Sequence, residues 1–203
     1  MKLHCTPGSP YARMARVMVI EKGLEGRVEV IFAQTRKQGS PYYEINPSGR
    51  VPYLVRDDGV GMEESQVICA YLDQLDGKPA FQVPSGEQGW EARRLESLAR
   101  SLLDGLTVWL RELYRPENER SPGVIRHEID RAARLVDLWG REIGHPLMHG
   151  ALNMAQLTLA CALGLEVRNP GFDWRSGHAR LIDWYEPIAA RPSFQATIPP
   201  AGR

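Results

Sequence analysis

The chain has 203 residues, 43% hydrophobic and 25% charged, which suits a soluble globular protein with room for one large core or two small ones. Lys plus Arg equals Asp plus Glu at 25 each, so the formal net charge is zero and a general nucleic-acid binder, which needs a basic footprint, is disfavoured. No apolar run reaches the length of a membrane span. The first residues carry no signal-peptide pattern, and Cys5, Cys69 and Cys161 are few, far apart and set among apolar residues, so a reduced, cytoplasmic setting is expected.

In chain order, Lys2 to Thr6 is a candidate strand and Thr6-Pro7-Gly8-Ser9-Pro10 a turn. Tyr11 to Lys22 carries a helical stripe closed by Gly23. Val28 to Phe32 is a strong strand run, so strand, helix and strand form a βαβ unit with a parallel pair. Gln34 to Gly49 reads as loop. Tyr53 to Arg56 and Val60 to Met62 flank Asp57-Asp58-Gly59 as a hairpin, and a helix follows from Ser65 to Leu75. The order βαβ then ββα is thioredoxin-like.

Gly77 to Gly89 reads as a linker, placing a thioredoxin-like domain at 1–78, the linker proper at 79–87 and an all-helical bundle domain at 88–203. Leu95 to Leu113 and Ile125 to Ile143 are amphipathic stripes. Met154 to Leu163 is apolar nearly all round, as a central bundle helix would be, with Asn153 and Gln156 in capping-box positions. Leu181 to Ile188 suggests a last helix ended near Pro192. His145 and His149 have helical metal spacing, but Pro146 and Gly150 interrupt that helix, so no metal site is expected.

Three segments have the residues for chemistry. Ser9 stands at the mouth of a helix whose first turn holds Pro10, where it either caps the helix or serves an anion beside the helix start. Val51-Pro52, after Asn46-Pro47-Ser48-Gly49, is either an ordinary strand start or a cis peptide that offers the Val51 backbone to an extended ligand. Glu64-Ser65 before Val67 to Leu72 is either a cap with an acidic first turn or a holder for the ammonium and carboxylate of an α-amino acid.

Together and in order, these segments resemble the cytosolic glutathione transferases over essentially the whole chain. Pro7 to Arg13 resembles the active-site segment of serine-type bacterial members, and Asn46-Pro47-x-Gly49-x-Val51-Pro52 the stretch before the family's cis-proline. Glu64-Ser65 with Ile68 and Tyr71-Leu72 resembles the γ-glutamyl motif, Asn153 to Leu163 the buried helix with its capping box, and Arg191-Pro192-Ser193-Phe194 with Thr197 a common C-terminal segment.

The resemblance implies that glutathione is the co-substrate and that Ser9 donates to its sulfur. Val51 and Pro52 would meet the cysteinyl part, Glu64 and Ser65 the γ-glutamyl group, and an unspecified side chain of the Gln34 to Gln38 loop the glycine carboxylate. A hydrophobic electrophile would meet Tyr11, Trp109, Leu113 and Tyr114, and the protein would be a homodimer serving detoxification. Tyr11 lies on a different helix face from Ser9, and the absence of cysteine at position 9 lowers disulfide-exchange readings. A binding or regulatory protein of the same fold, and a glutathione-dependent isomerase or lyase, remain as alternatives. Asn153 and Gln156 stand where the family has Ser or Thr and Asp, which keeps the hydrogen bonds but loses a charge.

Overall fold

The computed structural model describes residues 1–81 and 83–201; Gln82 of the expected linker and the last two residues of the expected helical domain lie outside them. The chain divides into two units, one holding Met1–Gln82 with Pro192–Pro199 and the other built on Val83–Arg191.

In the first unit the order is β1 (Lys2–Cys5), α1 (Pro10–Glu21), β2 (Glu29–Phe32), α2 (Tyr42–Ile45), β3 (Tyr53–Val55), β4 (Gly61–Met62) and α3 (Ser65–Gln74). The sheet runs β2-β1-β3-β4, with β1 parallel to β2 and antiparallel to β3, and β3 antiparallel to β4. This is the thioredoxin-like arrangement. Leu3 of β1 opposes Leu54 of β3, and both are fully buried with Met14 and Met18 of α1 and Ile68 and Leu72 of α3. The alternating side chains of two central strands thus supply one face of a core that α1 and α3, packed on each other, complete.

Two features depart from the sequence reading. The expected strand at 28–32 forms as β2, but apolar character there does not report burial: β2 is an edge strand whose Val30 and Phe32 are exposed, while Val28 just before it is buried. The stretch 34–49 is not all loop. Ser40 takes the Tyr42 N–H on its hydroxyl and the Tyr43 N–H on its carbonyl, starting the single turn α2, which is too short to show periodicity.

Pro192–Pro199, expected with the helical half, belongs instead to the first unit. The reason is Arg13. Its guanidinium is buried in α1 and must find acceptors. It donates to the Phe194 carbonyl at 3.2 Å and the Thr197 hydroxyl at 3.4 Å, and lies 5.4 Å from the Phe194 ring centre. The Ser193 hydroxyl pairs with the Glu21 carboxylate at the other end of α1. A short helix, α8 (Pro192–Gln195), results.

The expected linker also begins under restraint. Asp73, 2% exposed on α3, accepts the N–H groups of Ala80 and Phe81 at 2.9 Å each and pairs with Lys22 Nζ at 3.0 Å. Phe81 is buried.

The second unit is helical: α4 (Glu87–Leu113), α5 (Pro122–Glu142), α6 (Met154–Leu163) and α7 (Ala179–Ala189), with short 3-10 turns at Glu117–Glu119, Pro146–Met148 and Gly164–Val167. α4 starts two turns before its apolar stripe at Leu95, taking in Gly89. A Cβ on Gly89 would stand 2.0 Å from the Pro84 carbonyl, so that glycine answers a close approach within the unit rather than linker flexibility. α6 is buried over Ala155 to Leu163 and packs against α4.

The capping box forms with neutral residues. Asn153 Oδ1 accepts from the N–H groups of Ala155 and Gln156 at 3.0 and 3.1 Å, and Gln156 Oε1 accepts from the Asn153 N–H at 3.2 Å. His145 takes the Leu147 N–H on Nδ1, and His149 Nε2 lies 2.9 Å from the Ile143 carbonyl. Among the described residues no three His, Cys, Asp or Glu side chains are grouped to hold a metal, and no helix is long and apolar enough to cross a membrane.

Asp73→Ala would leave the Lys22 ammonium short of a buried partner and two N–H groups unpaired. The expected loss is about 3 kcal/mol of unfolding free energy, measured by urea denaturation; a loss below about 1 kcal/mol would mean the buried carboxylate does not hold this corner.

Candidate functional site

β1 ends at Cys5 and the chain turns at once into α1. The Ser9 N–H donates to the Thr6 carbonyl at 3.2 Å, closing the turn, and Pro10 takes the first helical position. Ser9 is extended at φ −79° and ψ 120°, and its Oγ accepts the Ala12 N–H at 3.2 Å. So Ser9 is the cap. It is also half-buried, and an oxygen that accepts still has its own proton to donate. Capping and donation to an anion use different parts of the same hydroxyl.

The other donors in reach of the sequence reading are worse placed. Burial pushes the Cys5 thiol up to about 12, with Arg16 opposing the shift, so Cys5 stays neutral in the strand. Tyr11 is half-buried in the first turn of α1, about 200° around the helix from Ser9.

The second segment is held from below. Val51-Pro52 is a cis peptide, and Val51 stands just before the β3 ladder begins at Tyr53. The carbonyl of Arg50 accepts from Asn46 Nδ2 at 3.0 Å and the Tyr42 hydroxyl at 2.5 Å. Asn46 Oδ1 accepts the Ser48 N–H at 3.1 Å, so one buried amide spans the whole turn. Gly49 has φ +66°, and a Cβ on it would come within 2.7 Å of the Tyr43 ring. In the sequence Asn46 and Gly49 read only as part of a turn, and Tyr42 carries no signal of its own. Their shared task is set by α2, which the sequence does not announce.

The third segment opens α3. Ser65 is buried as its first residue, while Glu64 is exposed and sits at φ +67° and ψ 120°, a strained conformation for a residue with a Cβ. The Glu64 carbonyl accepts the Ile68 N–H at 2.9 Å, which commits that backbone to the helix start. The Arg50–Glu64 ion pair is long, at 3.9 Å, and solvent-exposed, so it does not explain the conformation. In the 34–38 loop, Lys37 donates to Gln34 at 3.2 Å and Arg36 is held exposed at φ +59°.

Of the residues expected to meet an electrophile in the helical unit, Trp109 is core: it is 4% exposed, with its ring against Gly171. Its place in the α4 stripe decides this, because that stripe faces the bundle. Leu113 and Tyr114 are half-buried. The Tyr114 hydroxyl is taken by Arg168, which donates from Nε at 2.8 Å and Nη2 at 2.6 Å. Arg168 carried no signal in the sequence.

Residues 8–75 match the family model for the glutathione S-transferase N-terminal domain. Over the whole chain, the structure superposes with a TM-score of 0.87 on a glutathione transferase family member from Pseudomonas fluorescens Pf-5 crystallised with bound glutathione, at 32% identity and covering 98% of this chain and 99% of that one. The chain belongs to the glutathione S-transferase family. A glutathione S-transferase from Methylobacillus flagellatus KT, also with glutathione bound, is 27% identical at a TM-score of 0.86, covering 98% and 99% of the two chains. Among curated glutathione transferase relatives, the uncharacterized GST-like protein YibF of Escherichia coli K12 is 28% identical over 202 residues, 98% of this chain and 99% of its own length.

Two outcomes follow from the geometry of this glutathione S-transferase family member. Glu64→Gly removes the Cβ that makes φ +67° costly and is expected to stabilise the fold by about 1 kcal/mol; equal urea midpoints for the two proteins would show Glu64 to be unstrained. Cys5, Cys69 and Cys161 are all buried, so an aromatic disulfide reagent at pH 8 should titrate no thiol in native protein and all three in urea. Fast labelling of Cys5 in the native state would contradict its raised pKa.

Proposed function

We propose that the first unit binds glutathione and activates its thiol as a thiolate, which then attacks a hydrophobic electrophile. The observation that carries this reading is Ser9, which caps α1 through its oxygen while keeping a proton to donate at a half-buried helix N-terminus. In this reading the Val51 backbone pairs with the cysteinyl part beside Pro52, and Glu64 and Ser65 take the γ-glutamyl ammonium and carboxylate. The glutathione found in the Pseudomonas fluorescens and Methylobacillus flagellatus relatives supports that ligand. A second structure from Pseudomonas fluorescens Pf-5, 33% identical, carries S-(propanoic acid)-glutathione, a thioether of the kind such a transfer forms.

The energetic demand is modest. A thiol with pKa near 8.5 is about 3% ionised at pH 7, and lowering its pKa by about two units raises that to about three quarters, for about 2.7 kcal/mol. A hydrogen bond to a charged acceptor contributes about 1.5–3 kcal/mol, and a helix N-terminus adds about 0.3–1 kcal/mol, or up to about 2 where partly buried. Ser9 attacks nothing itself: the sulfur lone pair forms the new carbon–sulfur bond, and the displaced pair departs with a leaving group or, in an addition, the π pair shifts onto the electrophile's electron-withdrawing group, which then takes a proton from solvent.

The test is the thiolate absorbance of bound glutathione across pH, for wild type, Ser9→Ala and Ser9→Thr. Wild type and Ser9→Thr should lower the bound thiol's pKa by about two units, and Ser9→Ala should lose most of that shift while still binding. If glutathione binds with the same thiol pKa in all three, Ser9 is a cap only. A shifted thiolate that turns over no electrophile would point to a binding protein.

A further inference from the structure

The peptide group that joins Arg50 to Val51 has two polar edges, and only one of them is used by the protein. On the first, the Arg50 carbonyl fills both lone pairs: the Tyr42 hydroxyl donates at 2.5 Å and Asn46 Nδ2 at 3.0 Å. On the second, the Val51 N–H is half-buried and has no partner among the described residues. The group is planar and trans, so the two edges point in opposite directions. Donors to a carbonyl lie near its plane, so two of them together fix how that plane is turned. Tyr42 and Asn46 therefore aim the Val51 N–H from behind. By polarising the peptide they also make that N–H a stronger donor.

Of the two, Asn46 is committed to the turn, where its Oδ1 holds the Ser48 N–H. Tyr42 is the one tied to the sheet. Its buried ring lies 5.6 Å from the ring of His4, which is buried too. His4 alternates with Leu3 and Cys5 along β1, so it stands on the sheet face opposite α1 and α3. It also pairs in register with Tyr53, directly after Pro52. Burial raises the pKa of the Tyr42 phenol, with the Asn46 hydrogen bond opposing, so the hydroxyl keeps its proton and donates. β1 leads on to the turn at Ser9, so one strand is the reference for both the Val51 N–H and the Ser9 hydroxyl.

We infer that Tyr42 is a positioning residue for glutathione: through the Arg50 carbonyl it aims the Val51 N–H at the carbonyl of the cysteinyl residue. The inference rests on the glutathione reading above. It gives Tyr42 a part in affinity and leaves thiol ionisation to Ser9.

The test is a glutathione titration of the full chain carrying isotope-labelled valine, followed by amide resonances, with the Val51 signal identified by its loss in Val51→Ile. In wild type, glutathione should move the Val51 amide proton downfield and slow its exchange with solvent. Tyr42→Phe keeps the ring on His4 and removes only the hydroxyl. It should bind glutathione about fivefold more weakly and show a smaller Val51 displacement at saturation, with the bound thiol's pKa as in wild type. Unchanged signals from the buried Val17 and Val136 establish that the variant is folded. The inference is overturned, and the glutathione reading left standing, if Tyr42→Phe binds glutathione as tightly as wild type or if Val51 responds equally in both. If wild type binds no glutathione, that reading falls and the inference with it.

Discussion

A helix that begins directly at a strand end must satisfy its first N–H groups, and in this protein that need shapes the candidate site. α1, α5 and α6 begin with side-chain caps, from Ser9, Ser121 and Asn153. α3 does not. Its start is made by Glu64 at a positive φ with no side-chain cap, and the buried Ser65 follows. Backbone strain of this kind persists only where surrounding structure over-determines it. Here β4 fixes the chain on one side and the burial of Ser65, Ile68 and Leu72 fixes it on the other. The strained carbonyl still serves the helix, while no side chain caps its N-terminal end. That difference between α1 and α3 is what the proposed binding mode uses.

The first unit owes its integrity to two buried charges as much as to its apolar core. Asp73 gathers Lys22 from α1 and two backbone N–H groups from the segment after α3. Arg13 gathers the chain's distant C-terminal stretch. Both sit on the paired helices α1 and α3, and each closes over a chain segment that also buries an aromatic ring, Phe81 or Phe194. Buried charges with full sets of partners give register rather than net stability. The consequence is local: α1 is clamped along its length, at Arg13, Glu21 and Lys22, so Ser9 projects from a helix that is held in place.

The features legible in the sequence are those decided within a few residues. Ser9-Pro10 announces a helix start, Asp57-Asp58-Gly59 a hairpin, and Asn153 with Gln156 a capping box, because each motif's partners lie inside the motif. What escaped depends on distant partners. Arg13 looks like one more helical arginine until Phe194 and Thr197 arrive 181 and 184 residues later. Asn46 looks like a turn former until Tyr42 joins it on the Arg50 carbonyl. Trp109 is expected in a pocket although it steps in the apolar stripe of α4, and its burial against Gly171 shows that the stripe is the better guide. At β2 the strand itself was legible but its exposure was not, because Val30 and Phe32 lie on an edge strand that only the sheet order reveals.

Capping by Ser9 and the thiol activation proposed for it would reinforce each other. When Ala12 donates its N–H to the serine oxygen, it draws electron density from that oxygen and makes the remaining O–H a stronger donor. The helix dipole acts in the same direction on any anion that accepts the proton's hydrogen bond. Aspartate would cap as well but would put a carboxylate where the thiolate must form, and alanine would supply neither function. Asparagine could cap, but with an amide donor in a longer side chain that would crowd the approaching sulfur. A small neutral hydroxyl is thus the side chain that closes this helix and still leaves both room and a proton for a sulfur anion, so the residue's structural duty is a reason for its proposed chemical one.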